Sequence, residues 1–333
     1  MRVLHLPSGS DIGLITKQLR QLGLDATSCT FSSSDIYAYR ADIQLKLNEL
    51  PPTRQKKELH QFFMKAMKEY DLFHFHFGKT FNSKNDLKIL KAKGKKLIAH
   101  HRGSEVRKLS IAKKNNPFIV VKPEWTEDLI EKYVGRLSKY IDHCIVPDYE
   151  LKEYVEPYYK HVHVVPRAID VSKYIPNYPK AGTKPTIVHA PSNPEIKGTK
   201  YVLAAVNKLK KEGLNFEFKL VQGLSHQEAQ KVYQDATIIV DQLCIGSFAN
   251  LAMEGMALGK PVVCYIRGDL VNTYPHDLPI VNANPDSLFD VLKMLIQQPE
   301  QWEKIGRQGR AYVEKYHHVP KAAQQLIQIY KKL

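Results

Sequence analysis

Two segments in the second half of the chain combine small residues with a charged side chain, a combination that suits phosphate binding. The first segment, 189–199, places Lys197 just before Gly198, between a predicted strand and a predicted helix. Free N–H groups at a helix start attract an anion, and a lysine there adds a full positive charge. The second segment, 244–250, carries small residues that let the backbone approach an oxyanion closely. The alternative is that Lys197 is one more surface lysine and Gly198 only a turn residue.

Glu254 follows the second segment, one to two turns into the next predicted helix. A carboxylate there can accept two hydrogen bonds from vicinal hydroxyls, which is how a ribose is commonly held. The alternative is that Glu254 only stabilises the positive end of the helix dipole.

Histidines form the other group that could carry out chemistry. His74 and His76 alternate with three phenylalanines over 73–77, so the imidazoles share one face of a predicted strand. His100 and His101 end a neighbouring predicted strand. A metal site is conceivable, but no acid or cysteine pattern accompanies these residues, and we predict none. His101 opens a loop at a strand end, which makes it the better candidate to line a cleft and carry a proton.

Strand and helix patterns alternate along the chain and must position these residues. Strand 1–6 precedes helix 12–22, and after a proline-rich stretch at 166–185 the alternation restarts with strand 186–190 and helix 198–211. This order predicts an α/β protein of parallel sheets covered by helices on both faces. In such sheets the ligands lie at the carboxyl ends of the strands.

Length and composition limit the class of protein. A chain of 333 residues favours two domains of roughly 150 residues each. Four scattered cysteines with no C-x-x-C pair predict reduced, mostly buried thiols. No stretch approaches the ~18 consecutive apolar residues of a membrane-spanning helix, and the N-terminal apolar run is too short for a signal peptide. We therefore expect a cytoplasmic protein.

A large part of the net charge of +15 lies in one segment, 79–114, where twelve basic residues face only Asp86 and Glu105. Such a segment attracts anions, and the alternative is an ordinary solvated face. The segment contains no recognisable nucleic-acid-binding motif and few aromatic residues among its basic ones, so we predict no nucleic-acid partner. The amphipathic helix predicted at 54–70 carries further positive charge. Peripheral contact with anionic lipid at the inner face of the membrane is the alternative to packing of its apolar stripe on the sheet.

The second-half segments together resemble the donor-site signature of retaining GT-B glycosyltransferases of the family-4 type, the glycosyl transferases group 1. The residues that carry the resemblance are DQL at 241–243, GSFANLAMEGMALGKPVV at 246–263, and the upstream loop PSNPEIKGT at 191–199. VPRAID at 165–170 matches the interdomain passage of that family. Gly9 with LRQLG at 19–23, and RGSEVR at 102–107, are similar to its N-terminal loops.

The resemblance implies a GT-B fold, in which two doubly wound Rossmann-like domains face each other across a cleft and a C-terminal helix crosses back. It implies an acceptor-side domain at 1–166, a linker at 167–185, a nucleotide-sugar-binding domain at 186–316, and a helix at 317–333 that packs on the N-terminal domain.

The resemblance also implies roles for individual residues. Glu254 would bind the ribose and Lys197 the diphosphate, and the implied donor-binding residues are Asn193, Lys197, Gly246, Ser247, Phe248, Ala249, Asn250 and Glu254. The implied catalytic residues are His101, Arg102 and Lys197, and the implied acceptor-side residues are Gly9, Ser10, His76 and Glu105. One position departs from the family, because Gly246 stands where a glutamate that contacts the donor sugar is usual.

The implied activity is transfer of a sugar from a nucleotide-diphosphate-sugar, with UDP favoured over GDP, to a cell-surface, capsular or lipid-linked glycan. A cation and helix-terminal N–H groups at the leaving diphosphate stabilise its developing charge, so neither a metal nor a cofactor is expected. The alternatives are a nucleotide-sugar epimerase of the same fold and a non-catalytic relative that binds nucleotide-sugar.

Overall fold

A computed structural model describes residues 1–7, 11–32, 41–81 and 85–333. Gly9 and Ser10, both predicted on the acceptor side, lie outside the described residues. The chain divides into two compact units. The first comprises Met1–Lys108, Glu124–Ala168 and Val319–Leu333, and the second comprises Leu109–Pro123 and Ile169–His318.

The first unit is built on a seven-stranded parallel sheet with the order β3-β2-β1-β4-β5-β6-β7. Its strands and helices are β1 Arg2–Leu6, α1 Ile12–Gln21, β2 Asp25–Thr30, β3 Ile43–Gln44, α2 Pro52–Glu69, β4 Leu72–His76, α3 Asp86–Ala92, β5 Lys96–His100, α5 Glu127–Ser138, β6 His143–Val146, α6 Tyr149–Val155, β7 His161–Val164 and α13 Val319–Lys331. The strand order reverses between β1 and β4, as in doubly wound folds.

The second unit contains a five-stranded parallel sheet with the order β12-β11-β10-β8-β9. Its elements are α4 Leu109–Ala112, β8 Thr186–His189, α7 Pro194–Lys197, α8 Thr199–Lys211, β9 Glu217–Leu220, α9 His226–Gln234, β10 Ile238–Val240, α10 Asn250–Ala257, β11 Val262–Cys264, β12 Val281–Asn282, α11 Leu288–Gln297 and α12 Trp302–Tyr316. Because β9 and β10 lie on opposite sides of β8, the order reverses beside β8. The prediction of two parallel sheets is confirmed.

Apolar residues at the sheet faces hold each unit together. In the first unit, Val3, Leu72 and Ile98 on the central strands pack with residues of α13 such as Ala323 and Leu326. The second unit has buried residues on both faces of its short strands, which is typical of parallel sheets covered on both sides. The apolar stripe predicted on 54–70 also faces inward, since its central residues lie buried in α2.

Two segments lie elsewhere than the sequence indicated. Leu109–Pro123 belongs to the second unit, whereas the sequence analysis placed it in the N-terminal domain. There the buried Asn116 side chain donates hydrogen bonds to the carbonyls of Cys244 and Ile245, at 2.9 and 3.0 Å. The stretch 167–185, treated as a linker, contributes Val171 and Tyr174 to the core of the second unit.

Two smaller expectations can be compared directly. All four cysteines are free and buried, as predicted. Among the helices that the structure describes, none is both long enough and apolar enough to span a membrane.

Candidate functional site

Three loops of the second unit meet the carboxyl edge of its sheet, where α/β proteins bind ligands. Lys197 follows β8, and Asp241 directly follows β10. These two strands are hydrogen-bonded neighbours, and the strand order reverses beside them. The two residues therefore lie on either side of the reversal, which is the usual place for a ligand in this kind of sheet.

Lys197 is held by an ion pair that joins the two predicted phosphate segments. Its Nζ donates to Asp241 Oδ1 at 2.9 Å and to Gln242 Oε1 at 2.8 Å. The other oxygen of the fully buried Asp241 accepts the N–H of Ala249 at 2.9 Å, just before α10 begins. An ammonium group has three N–H donors, and these two contacts use two of them. Among the described residues, the third donor of this partly exposed lysine has no hydrogen-bond partner and can bind a ligand.

Glu254 lies in the second turn of α10 with its carboxylate mostly buried. Its Oε1 accepts a hydrogen bond from His226 Nε2 at 2.9 Å. This hydrogen bond raises the pKa of His226 above its ordinary value, against the effect of partial burial. His226 begins α9, after β9, so a third loop of the same sheet edge reaches the carboxylate.

Gly246 has a backbone conformation that glycine alone adopts easily, with φ at 88°. A Cβ placed here would lie 3.0 Å from both Cγ and Cδ of Arg267. The N–H of Arg267 donates to the Gly246 carbonyl at 2.9 Å, and its guanidinium binds Asp269 through two hydrogen bonds. The position at which the resemblance implies a glutamate is therefore closed over by the buried Arg267 side chain.

The remaining predicted donor residues mostly shape the loops. Asn193 Oδ1 accepts the N–H of Ile196 at 3.1 Å and so caps the short helix α7. Ser247 is buried, and the Phe248 ring packs against Tyr274. Asn250 begins α10 and is partly exposed.

Four residues predicted in the first unit lie within the described part of the chain, near the ends of β4 and β5, and these four are buried: His76, His101, Arg102 and Glu105. Arg102 donates from Nη1 to Asp11 Oδ2 at 2.7 Å and from Nη2 to His76 Nδ1 at 2.9 Å. The N–H of Arg102 also donates to Glu105 Oε1 at 2.6 Å. His101 has no exposed surface, and its Nε2 is 2.8 Å from the Tyr159 hydroxyl.

Glu105 is the acidic member of this group. Burial acts to raise the pKa of Glu105, but the neighbouring His101 imidazole and the Arg102 N–H outweigh it, so the pKa lies below its usual value. The carboxylate is therefore charged at neutral pH and holds the turn after β5.

Three cations of the basic segment at 79–114 have largely buried side chains that are engaged in ion pairs. Besides Arg102, the Arg107 guanidinium binds both oxygens of Glu150 at 2.7 and 2.6 Å. Lys108 Nζ donates to Glu131 at 2.8 Å. The positive charge available to an external anion is therefore smaller than the residue count of the segment suggests.

Several residues that hold the loops around Lys197 and Glu254 were not predicted from the sequence. Asp241 was part of the quoted motif but was given no role, and its position after β10 is the signal that could have found it. His226 follows Ser225, which forms a capping box with Glu228, and this pattern marks a helix start at a strand end. No local pattern marks Asn116, because its partners lie 128 and 129 residues further along the chain.

Comparison with known proteins agrees with this geometry. Residues 195–328, which include Lys197 and Glu254, match the family described as glycosyl transferase-like. No curated protein gave a significant match.

Solved structures share the fold over the whole chain. Sucrose-phosphate synthase from Thermosynechococcus elongatus is 15% identical, with 100% of this chain and 99% of that chain covered and a TM-score of 0.71. HepE of Anabaena in complex with UDP-glucose is 13% identical, with both chains fully covered (100% each) and a TM-score of 0.66. UDP-GlcNAc 2-epimerase from Methanocaldococcus jannaschii is 10% identical, again with 100% of each chain covered, and has a TM-score of 0.57. The GT-B fold is confirmed, and the resemblance to glycosyl transferase-like proteins is confirmed for residues 195–328.

Proposed function

We propose that the protein is a retaining, metal-independent glycosyltransferase that uses a nucleotide-diphosphate-sugar, with UDP favoured over GDP. The acceptor class we propose is a cell-surface, capsular or lipid-linked glycan. The observation that carries the proposal is the convergence of Lys197, the start of α10 and Glu254 on the strand reversal of the second unit.

Lys197 is suited to bind the donor diphosphate because its position is set before the ligand arrives. The ion pair with Asp241 and the hydrogen bond to Gln242 fix Nζ and leave one donor. A donor that needs no reorganisation stabilises the charge that develops on the leaving diphosphate. Asp241 also accepts the N–H of Ala249, so one carboxylate holds both predicted phosphate segments in place.

Glu254 is suited to bind the ribose. Its Oε1 is oriented by His226, and no hydrogen bond of Oε2 is seen within the described part of the chain. A carboxylate accepts through several lone pairs, so a diol can donate to it while His226 stays in place.

The reaction follows from where charge develops. Breaking the bond between the sugar and the phosphate leaves negative charge on the diphosphate, where Lys197 and helix-terminal N–H groups lie. The resemblance implies that the donor phosphate accepts the acceptor proton, so that the sugar keeps its anomeric configuration. The likeness to HepE, which has been solved with UDP-glucose, supports UDP as the nucleotide. Cytoplasmic location and peripheral contact with anionic membrane remain predictions.

Nucleotide affinity tests the donor site. Removal of a hydrogen bond to a charged group costs about 1.5–3 kcal/mol, so Glu254→Gln and Lys197→Ala should each weaken UDP binding roughly 10- to 100-fold by isothermal titration calorimetry. Glu217→Gln and Lys200→Ala change exposed residues of the same unit and should leave affinity unchanged. Unaltered binding of UDP and GDP in both site variants would contradict the proposal.

Turnover separates a transferase from the epimerase alternative. A transferase consumes UDP-sugar only with an acceptor or slowly by hydrolysis, whereas an epimerase forms a new sugar-nucleotide with no acceptor. NMR of UDP-N-acetylglucosamine incubated with the protein alone should show no epimer. With an acceptor, retention predicts the same anomeric configuration in product and donor.

A further inference from the structure

Four buried histidines of the first unit lie on one face of the sheet, beside the strand reversal. His5 of β1 is in register with His74 of β4, and His76 of β4 is in register with His100 of β5. All four are 4% exposed or less, and the rings of His74 and His76 stack with centroids 4.3 Å apart. The hydroxyl of Tyr330, on α13, reaches the same group.

The group has the composition of a metal site. Ligand atoms of His5, His74 and His76 all lie within 4.8 Å of one another. His5 Nδ1 and His76 Nε2 are 3.1 Å apart, a separation that two ligands of one zinc ion can have. Whether they can bind a metal depends on where their protons are.

Arg102 decides the proton positions of His76 and His5. A guanidinium can only donate, so His76 Nδ1, at 2.9 Å from Arg102 Nη2, must accept. Neutral His76 then carries its proton on Nε2 and donates it to His5 Nδ1. His5 in turn carries its proton on Nε2, which is 3.1 Å from the Tyr330 oxygen. The two nitrogens that face each other therefore share a proton and leave no lone pair for a metal ion.

Tyr330 continues the chain in the same direction. Its oxygen accepts from His5, and its proton goes to His74 Nδ1 at 2.6 Å. If His74 donated instead, the buried hydroxyl proton would have no acceptor among the described residues, and an unmade buried hydrogen bond is costly. His74 Nε2 then donates to His100 Nδ1 at 3.1 Å. All four histidines thereby carry the proton on Nε2.

We propose that Arg102, His76, His5, Tyr330, His74 and His100 form a one-way hydrogen-bond chain that positions the Arg102 guanidinium and excludes a metal ion. His5 and Tyr330 act through His76, so they are positioning residues. The helix α13 supplies the link that joins the His5 side of the chain to the His74 side. The proposal concerns the first unit alone and holds whether or not the second unit binds a nucleotide-sugar.

The surroundings support neutral imidazoles. Burial first, and then the nearby Arg102 charge and the other histidines, lowers the pKa values of the group. Within the described residues, the Arg102 guanidinium pairs with the Asp11 carboxylate through Nη1. Asp11 and Asp42 act to raise the pKa of His5, but burial and the Arg102 charge outweigh them. A second histidine pair offers a contrast, because His143 and His163 are 3.0 Å apart but half-buried, with no arginine donor among the hydrogen bonds described for them.

Nitrogen-15 NMR of the ligand-free protein tests the chain directly. Long-range spectra of labelled histidine distinguish the two neutral tautomers and the imidazolium, and replacement of one histidine at a time assigns the signals. We expect the neutral Nε2–H form for His5, His74, His76 and His100 from pH 6 to 8, and averaged forms for His143 and His163. A Nδ1–H or imidazolium signature at any of the four would overturn the proposal.

Single substitutions test the direction of the chain. In Tyr330→Phe, His74 and His100 lose the constraint and should show both neutral tautomers, whereas His76 keeps Nε2–H because Arg102 still donates to it. In Arg102→Met, His76 loses the donor at its Nδ1 and should also show both neutral tautomers. Tyr312→Phe removes the hydroxyl of another buried tyrosine, outside the chain, and should change none of the four signals. Unchanged tautomers in Tyr330→Phe would overturn the proposal.

Metal titration provides a measurement that needs no variant. Addition of Co²⁺ should leave the four histidine signals in place. Stoichiometric binding that removes those signals would show that the group is a metal site and would overturn the proposal.

Discussion

Gly246 packs closely against Arg267, because a Cβ added at residue 246 would lie only 3.0 Å from the arginine side chain. The φ of 88° adds backbone strain for any other residue. The resemblance implies a glutamate at this position, but the place of its side chain is occupied by another residue. Arg267 fills the space, and its guanidinium is bound to Asp269. The glutamate that the resemblance implies at this position therefore has no room in the observed packing.

We predict that Gly246→Glu destabilises the protein and does not improve nucleotide-sugar affinity. The left-handed backbone alone costs about 1–3 kcal/mol for a residue other than glycine, and displacement of Arg267 adds to this. Urea unfolding followed by circular dichroism measures the effect.

Gly268→Ala is the matched control for this variant, because a Cβ at that residue meets nothing within 4 Å. It should change stability by less than about 1 kcal/mol. A Gly246→Glu variant as stable as the control would show that Arg267 moves away without cost.

At the scale of elements, close helix contacts depend on glycine in α12. A Cβ at Gly306 would lie 2.0 Å from the carbonyl oxygen of Gly259, in the turn after α10. Gly309, one turn later, faces Met256 of α10. These contacts bring α12 against the helix that carries Glu254, so they help to fix the predicted ribose site.

We predict that Gly306→Ala lowers the melting temperature, because the backbone of α12 or of the Gly259 turn must shift. A loss of about 2 kcal/mol or more is expected, as for other overpacked core positions. Gly135→Ala in α5 is the control, since a Cβ there meets nothing and alanine favours the helix by up to about 1 kcal/mol. Equal melting temperatures for the two variants would contradict the stated role of Gly306.

Hydrophobic periodicity in the sequence predicted the long helices and strands. It could not predict the shortest strands, which depend on contacts with residues distant in sequence. The alternation at 73–77 predicted both faces of β4, and the structure places the imidazoles on one face and the phenyl rings on the other. The two-residue strands β3 and β12 were not predicted, because two residues carry no periodic signal.

The candidate site divides in the same way. Lys197 and Glu254 could be found because each lies in a motif that is contiguous in sequence. The partners that orient them, Asp241 and His226, reach them across 44 and 28 residues. Only the fold reveals those contacts.

Buried histidines in both units make the stability of the protein fall at acidic pH. Burial is the main cause that lowers the pKa of His5 to about 3 and of His189 to about 4, below the ordinary value of 6.5. His74, His76 and His100 shift in the same direction. Below pH 6.5 the unfolded chain takes up protons at these residues while the folded chain does not. Stability is therefore complete above pH 6.5 and falls as the pH falls towards the folded pKa values.

We predict a melting temperature more than ~10 °C lower at pH 5 than at pH 7, because each fully buried histidine contributes a loss of roughly 2 kcal/mol. His226, whose pKa is raised, and Asp148, whose pKa burial raises to about 6, act in the opposite direction but are fewer. Differential scanning calorimetry at constant ionic strength measures the effect.

Two variants assign this response to buried imidazoles. His189→Gln should reduce the pH slope of stability, whereas His60→Gln, on the exposed side of α2, should not. A melting temperature that stays level between pH 7 and pH 5 would show that the buried histidines do not control acid stability.

The chain crosses from one unit to the other at four places, after Lys108, Pro123, Ala168 and His318. Because α13 follows the last crossing, it is synthesised only after all residues of the second unit. During synthesis, the roughly 150 residues of Ile169–His318 separate the sheet of the first unit from the helix that covers it. At a synthesis rate of about 5–20 residues per second this delay is about 8–30 s. For that time the sheet face around Val3, Leu72 and Ile98 lacks its cover, and Tyr330 is not yet present to link the histidines. The first unit is thus completed only after the whole of Ile169–His318 has been synthesised, and until then this apolar face is open to other apolar surfaces.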